Sequence, residues 1–175
     1  MTKRIPDFER YQSEIAQITQ KKEDWCILAN IESVTKYFEP NSPITQEYLD
    51  KKWKEVPQSN EERERLSFDR IKDTVLDIDP NYSRFESRVI IRNIAALACS
   101  VIPSEIDKGP VILSLPVGVA PYSHMYTVVE CNNLGGLHLH DTGPGKLLWK
   151  NLDEMTTALQ ERSRTETDVL IIRPK

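Results

Sequence analysis

The run Gln20-Lys-Lys-Glu-Asp-Trp-Cys26-Ile-Leu-Ala-Asn-Ile-Glu-Ser-Val-Thr-Lys-Tyr-Phe38 carries the clearest periodicity in the chain. Ile27, Ile31, Val34 and Phe38 recur at spacings of four, three and four, which puts them on one helical face. The pattern predicts a helix from Trp25 to Phe38, with Asp24 placed to cap its first turn and Pro40 to end it. Cys26 then falls at about the second helical position. There the unpaired N–H groups and the positive end of the helix dipole favour a thiolate. Asp24 opposes this, since a nearby carboxylate disfavours the anion.

Three residues elsewhere fit the chemistry of such a cysteine. Gln20, six residues before Cys26, lies in the lead-in to the helix, where its side-chain N–H can join the Cys26 backbone N–H as an oxyanion hole. His124 opens a predicted strand and can present an imidazole across a cleft to the helix start. Asp141, seventeen residues later, ends the next predicted strand and can fix the tautomer of that imidazole. It shares its strand face with Leu137 and Leu139 and so should point inward with them.

Outward from these points, the chain divides near residue 108 into a helical part and a strand-rich part, read together as one domain over 1–175. Thr45 can cap a short helix through Trp53. Ser59-Asn-Glu-Glu62 has the capping-box form, ahead of a helix whose inner face would be Phe68, Ile71, Val75 and Ile78. Val89–Val101 reads as a strand giving way to a helix. Pro110–Leu115 is nearly all apolar, as a central strand should be. His124–Glu130 and Leu137–Asp141 form a hairpin across Asn132-Asn-Leu-Gly-Gly136. Thr142-Gly-Pro-Gly145 turns into Lys146–Trp149, and a helix over Leu152–Glu161 and a strand over Val169–Ile172 follow. Helices first and an antiparallel sheet second describe an α+β fold.

Composition narrows the function classes. The 175 residues are 39% hydrophobic and 29% charged, with a formal charge of −4 that favours neither nucleic acid nor an anionic membrane surface. Lys51, Lys52 and Lys54 are interspersed with acids and read as a solvated helix face. No apolar run reaches membrane-spanning length, so no membrane insertion is expected. Three cysteines at irregular spacing make no disulfide framework, and with no secretory signal at Met1–Asp7 a cytoplasmic setting is expected. Cys99 and Cys131 lie in apolar runs and read as core. His138 and His140 alternate along a strand as a possible metal pair, but no structural-zinc spacing accompanies them, and two exposed hairpin histidines are the simpler reading.

The segment from Gln20 to Phe38 resembles the nucleophile helix of papain-like cysteine peptidases, in particular the bacteriocin-processing (double-glycine leader) peptidases and bacterial papain-like effector proteases. Those share a glutamine six residues before the cysteine, often a Trp-Cys pair, and an aromatic-ended helix. Ile44–Leu49, Lys108–Leu113, His124–Val129, Leu139–Gly145 and Asn151–Met155 resemble segments that follow in the same order. Val56–Ser104 is unmatched. Ile27 stands where the family usually has Gly or Trp, and Thr142 where Pro commonly follows the acid. The resemblance implies a papain-like fold, with the nucleophile helix packed on a C-terminal antiparallel sheet. It also implies a thiol protease triad of Cys26, His124 and Asp141 assisted by Gln20, with no cofactor and a peptide or amide substrate cleaved through a thiolate–imidazolium pair and a thioester. The same triad could serve an acyltransferase or transglutaminase-like enzyme, and the domain could also be a catalytically silent binding module.

Overall fold

The computed structural model describes residues 1–59, 67–118 and 123–175. Among these residues seven strands form one sheet: β1 (Thr2–Arg4), β2 (Phe85–Asn93), β3 (Val111–Pro116), β4 (Ser123–Asn132), β5 (Leu137–Asp141), β6 (Lys146–Lys150) and β7 (Glu166–Pro174). Their order is β2-β7-β3-β4-β5-β6, with β1 against the far end of β4, and every pairing is antiparallel. Both faces of the centre are covered, which explains the unbroken apolar runs of β3 and β7. Val111, Leu113, Val169 and Ile171 feed one core, while Ile112, Leu170 and Ile172 feed the other. Alternate residues of a strand point to opposite faces, so each run serves two layers.

Helix α1 spans Phe8–Arg10 and continues as a π-helical turn, Tyr11–Ile15. Helix α2 is Cys26–Phe38 and α3 is Gln46–Glu55. Helix α4 is Phe68–Ile71 with a π-helical turn, Lys72–Leu76. Helix α5 runs through Ile94–Ala96, Leu97–Val101 and Ile102–Glu105, and α6 is Leu152–Gln160. Leu49, Trp53, Phe68, Ile71 and Val75 press α2 against Ile112, Met125 and Leu170. Residues 27–35 of α2 are all buried, as expected of a helix with neighbours on every side. On the opposite face Leu97, Ile102, Met155 and Leu159 cover Leu113, Val128 and Leu139.

The α+β arrangement expected from the sequence is present, with several differences. Strands β1 and β2 belong to the N-terminal part, so the division near residue 108 separates helices from strands only loosely. The strand-to-helix change within Val89–Val101 occurs at Asn93, whose side chain accepts from the Ala96 N–H at 2.8 Å and caps α5. Thr45 caps α3 as expected, accepting from the Tyr48 N–H. Asn151 and Glu154 close a capping box on α6. The box expected at Ser59–Glu62 lies mostly outside the described residues. The helix there is capped by Ser67, and its Phe68, Ile71 and Val75 are buried. Ile78 is exposed because the helix ends before it.

Candidate active site

Asp24 does not cap α2. The residue preceding the helix is Trp25, with no side-chain bond to the first turn. The N–H groups of Cys26 and Ile27 are thereby left facing the thiol, where they favour its anion. A third donor comes from the sheet. Strand β5 stops pairing at Asp141, opposite Tyr126, while β3 goes on pairing β4 to Ser123. Met125 therefore has no β5 partner, and the start of α2 occupies that gap. The Met125 N–H supports the Cys26 sulfur, and its carbonyl accepts from Asn30 Nδ2 at 2.8 Å.

Asn30, wholly buried one turn along α2, makes the junction. Its Nδ2 also donates to the Cys26 carbonyl at 2.7 Å and lies 3.4 Å from Thr142 Oγ1, and its Oδ1 accepts from the Thr127 hydroxyl at 2.6 Å. One amide thus joins the turn of Cys26, the strand of His124 and the residue after Asp141.

His124 Nε2 and Asp141 Oδ1 are 2.8 Å apart, and that oxygen also accepts from the Gly143 N–H at 3.0 Å. Asp141 lies on the face of Leu137 and Leu139, as the parity of the strand predicted. With Nε2 held by the carboxylate, Nδ1 is the nitrogen left for a second partner. The edge of the His124 ring meets Tyr126 at 4.7 Å, and burial together with the Asp141 and Cys26 charges pushes the Tyr126 phenol up to about 12.

The Cys26 thiol is not lowered as the helix position alone suggested. Burial pushes it up, the N–H groups of Met125, Ile27 and Cys26 pull it down less strongly, and Asp24 adds to the rise.

Gln20 lies beside both elements. Its backbone N–H donates to the Thr142 carbonyl at 2.8 Å, and its Nε2 donates to the Glu23 carbonyl at 2.8 Å. Its Oε1 is buried near Gly143 and has no hydrogen-bond partner among the described residues.

Of the other cysteines and histidines, Cys131 lies in the core as expected and the rest depart from expectation. Cys131 is buried, with its thiol pushed up to about 11, but Cys99 is exposed because α5 turns it away from the sheet. The hairpin histidines are not exposed. His138 stacks on Trp149 at 4.8 Å, with Nδ1 3.1 Å from Glu130. His140 is fully buried, its Nδ1 2.9 Å from the Tyr11 hydroxyl. Among the described residues no group of three or more His, Cys, Asp or Glu side chains is placed to hold a metal ion.

Burial lowers the His140 imidazole to about 4, so the fold favours its neutral form. Between the unfolded value near 6.5 and this folded one, the unfolded chain binds the extra proton, and stability falls as pH falls. The loss is on the order of 3 kcal/mol across that window. His140→Gln is expected to flatten the dependence of urea-unfolding free energy on pH between 6.5 and 4. An unchanged slope in that variant would assign the acid sensitivity to other groups.

No protein-family model matches the sequence, and no curated protein matches it either. The structure is similar to the crystal structure of the peptidase domain of Streptococcus ComA, a bi-functional ABC transporter involved in a quorum-sensing pathway. The TM-score is 0.58 and the identity 19%, over 90% of this chain and 97% of that one. The fold is that of a papain-like peptidase domain. Among the described residues, no helix is long and apolar enough to cross a membrane.

Proposed function

We propose that the protein is a papain-like cysteine peptidase or amidase in which Cys26 is the nucleophile, His124 its base, Asp141 the residue orienting the base and Gln20 an oxyanion donor. The observation that carries this reading is the coincidence at one point of the sheet of a helix-start cysteine, a strand N–H aimed at its sulfur and a neighbouring His124–Asp141 pair at 2.8 Å. The similarity to a peptidase domain supports the same reaction class and a peptide substrate.

Burial favours the neutral thiol, and in this reading the thiolate–imidazolium pair forms as attack begins. Sulfur adds to the carbonyl carbon while its proton passes to His124 Nδ1. The Cys26 N–H and the second N–H of Gln20 Nε2 receive the oxyanion. His124 then returns the proton to the leaving amine, and water resolves the thioester with the same base. An amine acceptor in place of water would make the enzyme a transferase.

The test is a positional-scanning library of tetrapeptidyl aminomethylcoumarins, run with Cys99→Ser as parent because exposed Cys99 would otherwise react with thiol reagents. Release of fluorophore by the parent, lost in Cys26→Ala and after iodoacetamide treatment, is the expected result. A Cys26→Ala protein as active as its parent sinks the proposal.

A further inference from the structure

Gln46, the first residue of α3, has no exposed surface although it follows a capping threonine, a position usually solvated. Its side chain reaches across to the loop that bears Gln20. Nε2 donates to the Thr19 carbonyl at 3.0 Å, and Oε1 accepts from the Lys21 N–H at 2.9 Å. The remaining hydrogen on Nε2 goes to Glu32 Oε2 at 2.9 Å, and the Gln46 backbone N–H faces the same oxygen at 3.4 Å. Reversing the amide would set its oxygen against two other oxygens and its NH₂ against an N–H, so these partners fix its orientation.

The Gln20 backbone is therefore held on three successive residues, with Thr19 and Lys21 bonded to one side chain and Gln20 N–H bonded to Thr142. Glu32 anchors the brace to α2, two turns from Cys26, and Lys36 balances its charge at 2.6 Å. No helix or strand of its own fixes this loop, and a donor at an oxyanion hole loses its effect if displaced by a fraction of an ångström.

We propose that Gln46 is a positioning residue for the oxyanion donor, setting the Gln20 loop against the nucleophile helix through Glu32. The inference rests on the reading of Gln20 as that donor. It predicts that Gln46 matters for reactions that pass through a tetrahedral oxyanion and not for reactions that do not.

Two small reagents separate these cases without a peptide substrate. In acetylation by p-nitrophenyl acetate, the Cys26 sulfur bonds to the carbonyl carbon, the thiol proton passes to His124, and p-nitrophenolate leaves from the tetrahedral adduct. In alkylation by iodoacetamide, sulfur displaces iodide at a saturated carbon and no oxyanion forms. Both rates are read on Cys26 by peptide mass in the Cys99→Ser background, for Gln20→Ala, Gln46→Ala, Gln46→Glu and the double alanine variant.

Gln20→Ala is expected to slow acetylation by about 10²-fold, the two Gln46 variants by about 10-fold or more, and the double variant no further than Gln20→Ala alone. Alkylation should stay within about twofold of the parent throughout, and buried Cys131 should remain unlabelled, which reports that each variant is folded. If one Gln46 variant labels at Cys131, the other decides the matter. Parent-like acetylation in a folded Gln46 variant, or a multiplied loss in the double variant, overturns the positioning role. Parent-like acetylation in Gln20→Ala removes the donor itself and the positioning role with it. Loss of both reactions on Cys26 in a folded protein would instead overturn the peptidase reading.

Discussion

His124→Ala is expected to lower peptide or amide turnover by at least about 10⁴-fold while leaving the alkylation of Cys26 at pH 9–10 close to that of the parent. The two halves follow from one observation. Burial holds the Cys26 thiol above its ordinary value, and the groups that oppose this are backbone N–H groups that the substitution leaves in place. In the proposed mechanism His124 takes the proton during attack, and the N–H groups rather than the imidazole offset the burial of the sulfur. Asp141→Ala should cost less turnover than His124→Ala, because it frees the ring and the Gly143 N–H without removing the base. The checks are kcat and KM on a responsive substrate and the pH dependence of Cys26 alkylation in all three proteins. A parent with an alkylation midpoint near neutral pH, shifted upward by His124→Ala, would show a preformed ion pair instead.

Asn30→Ala is expected to destabilise the fold by about 3 kcal/mol, equivalent to roughly 10 °C in melting temperature for a chain of this size. The substitution leaves the Met125 carbonyl and the Thr127 hydroxyl buried without the partner they have now, and each such orphan costs about 1–3 kcal/mol. Asn30→Asp keeps the shape but sets a carboxylate against the carbonyls of Cys26 and Met125, so it should be at least as unstable. Ser33→Ala is the control. Among the described residues its hydroxyl bonds only to Ala29 within the same helix, and its loss should cost less than about 1 kcal/mol. An Asn30→Ala protein that melts with the Ser33→Ala protein would show that water enters the junction and replaces the amide.

The central features were legible because they depend on local pattern. The α2 helix follows from the spacing of Ile27, Ile31 and Val34, and β3 from its continuous apolar run. The placement of His124 and Asp141 at the facing ends of a hairpin follows from the turn at Asn132–Gly136 and from strand parity. What escaped reading depends on distant partners. Asn30 and Gln46 look like ordinary polar helix residues, and only the ending of β5 at Asp141 and the course of the Gln20 loop bury them. An Asn breaking the run Ile27-Leu-Ala-Asn-Ile31 was the available signal for the first. Phe8, Tyr11 and Ile15 have helical spacing and formed another, which the short polar segments around them obscured. Cys99 sits in an apolar stretch, yet the turn within α5 directs it outward.

The position of β7 has a consequence for the order in which the molecule can be completed. This strand is the last in the sequence, yet it lies between β2 and β3, pairing with β2 along its whole length and with β3 at Leu170 and Val169. During synthesis, β2 and β3 are both made before the strand that separates them. The core that Leu170 and Ile172 share with α2 cannot close until β7 arrives. Residue 170 follows residue 26 by 144 positions, about 7–30 s at ribosomal elongation rates. The thiol of a nascent chain is accordingly born without the shell that restrains it.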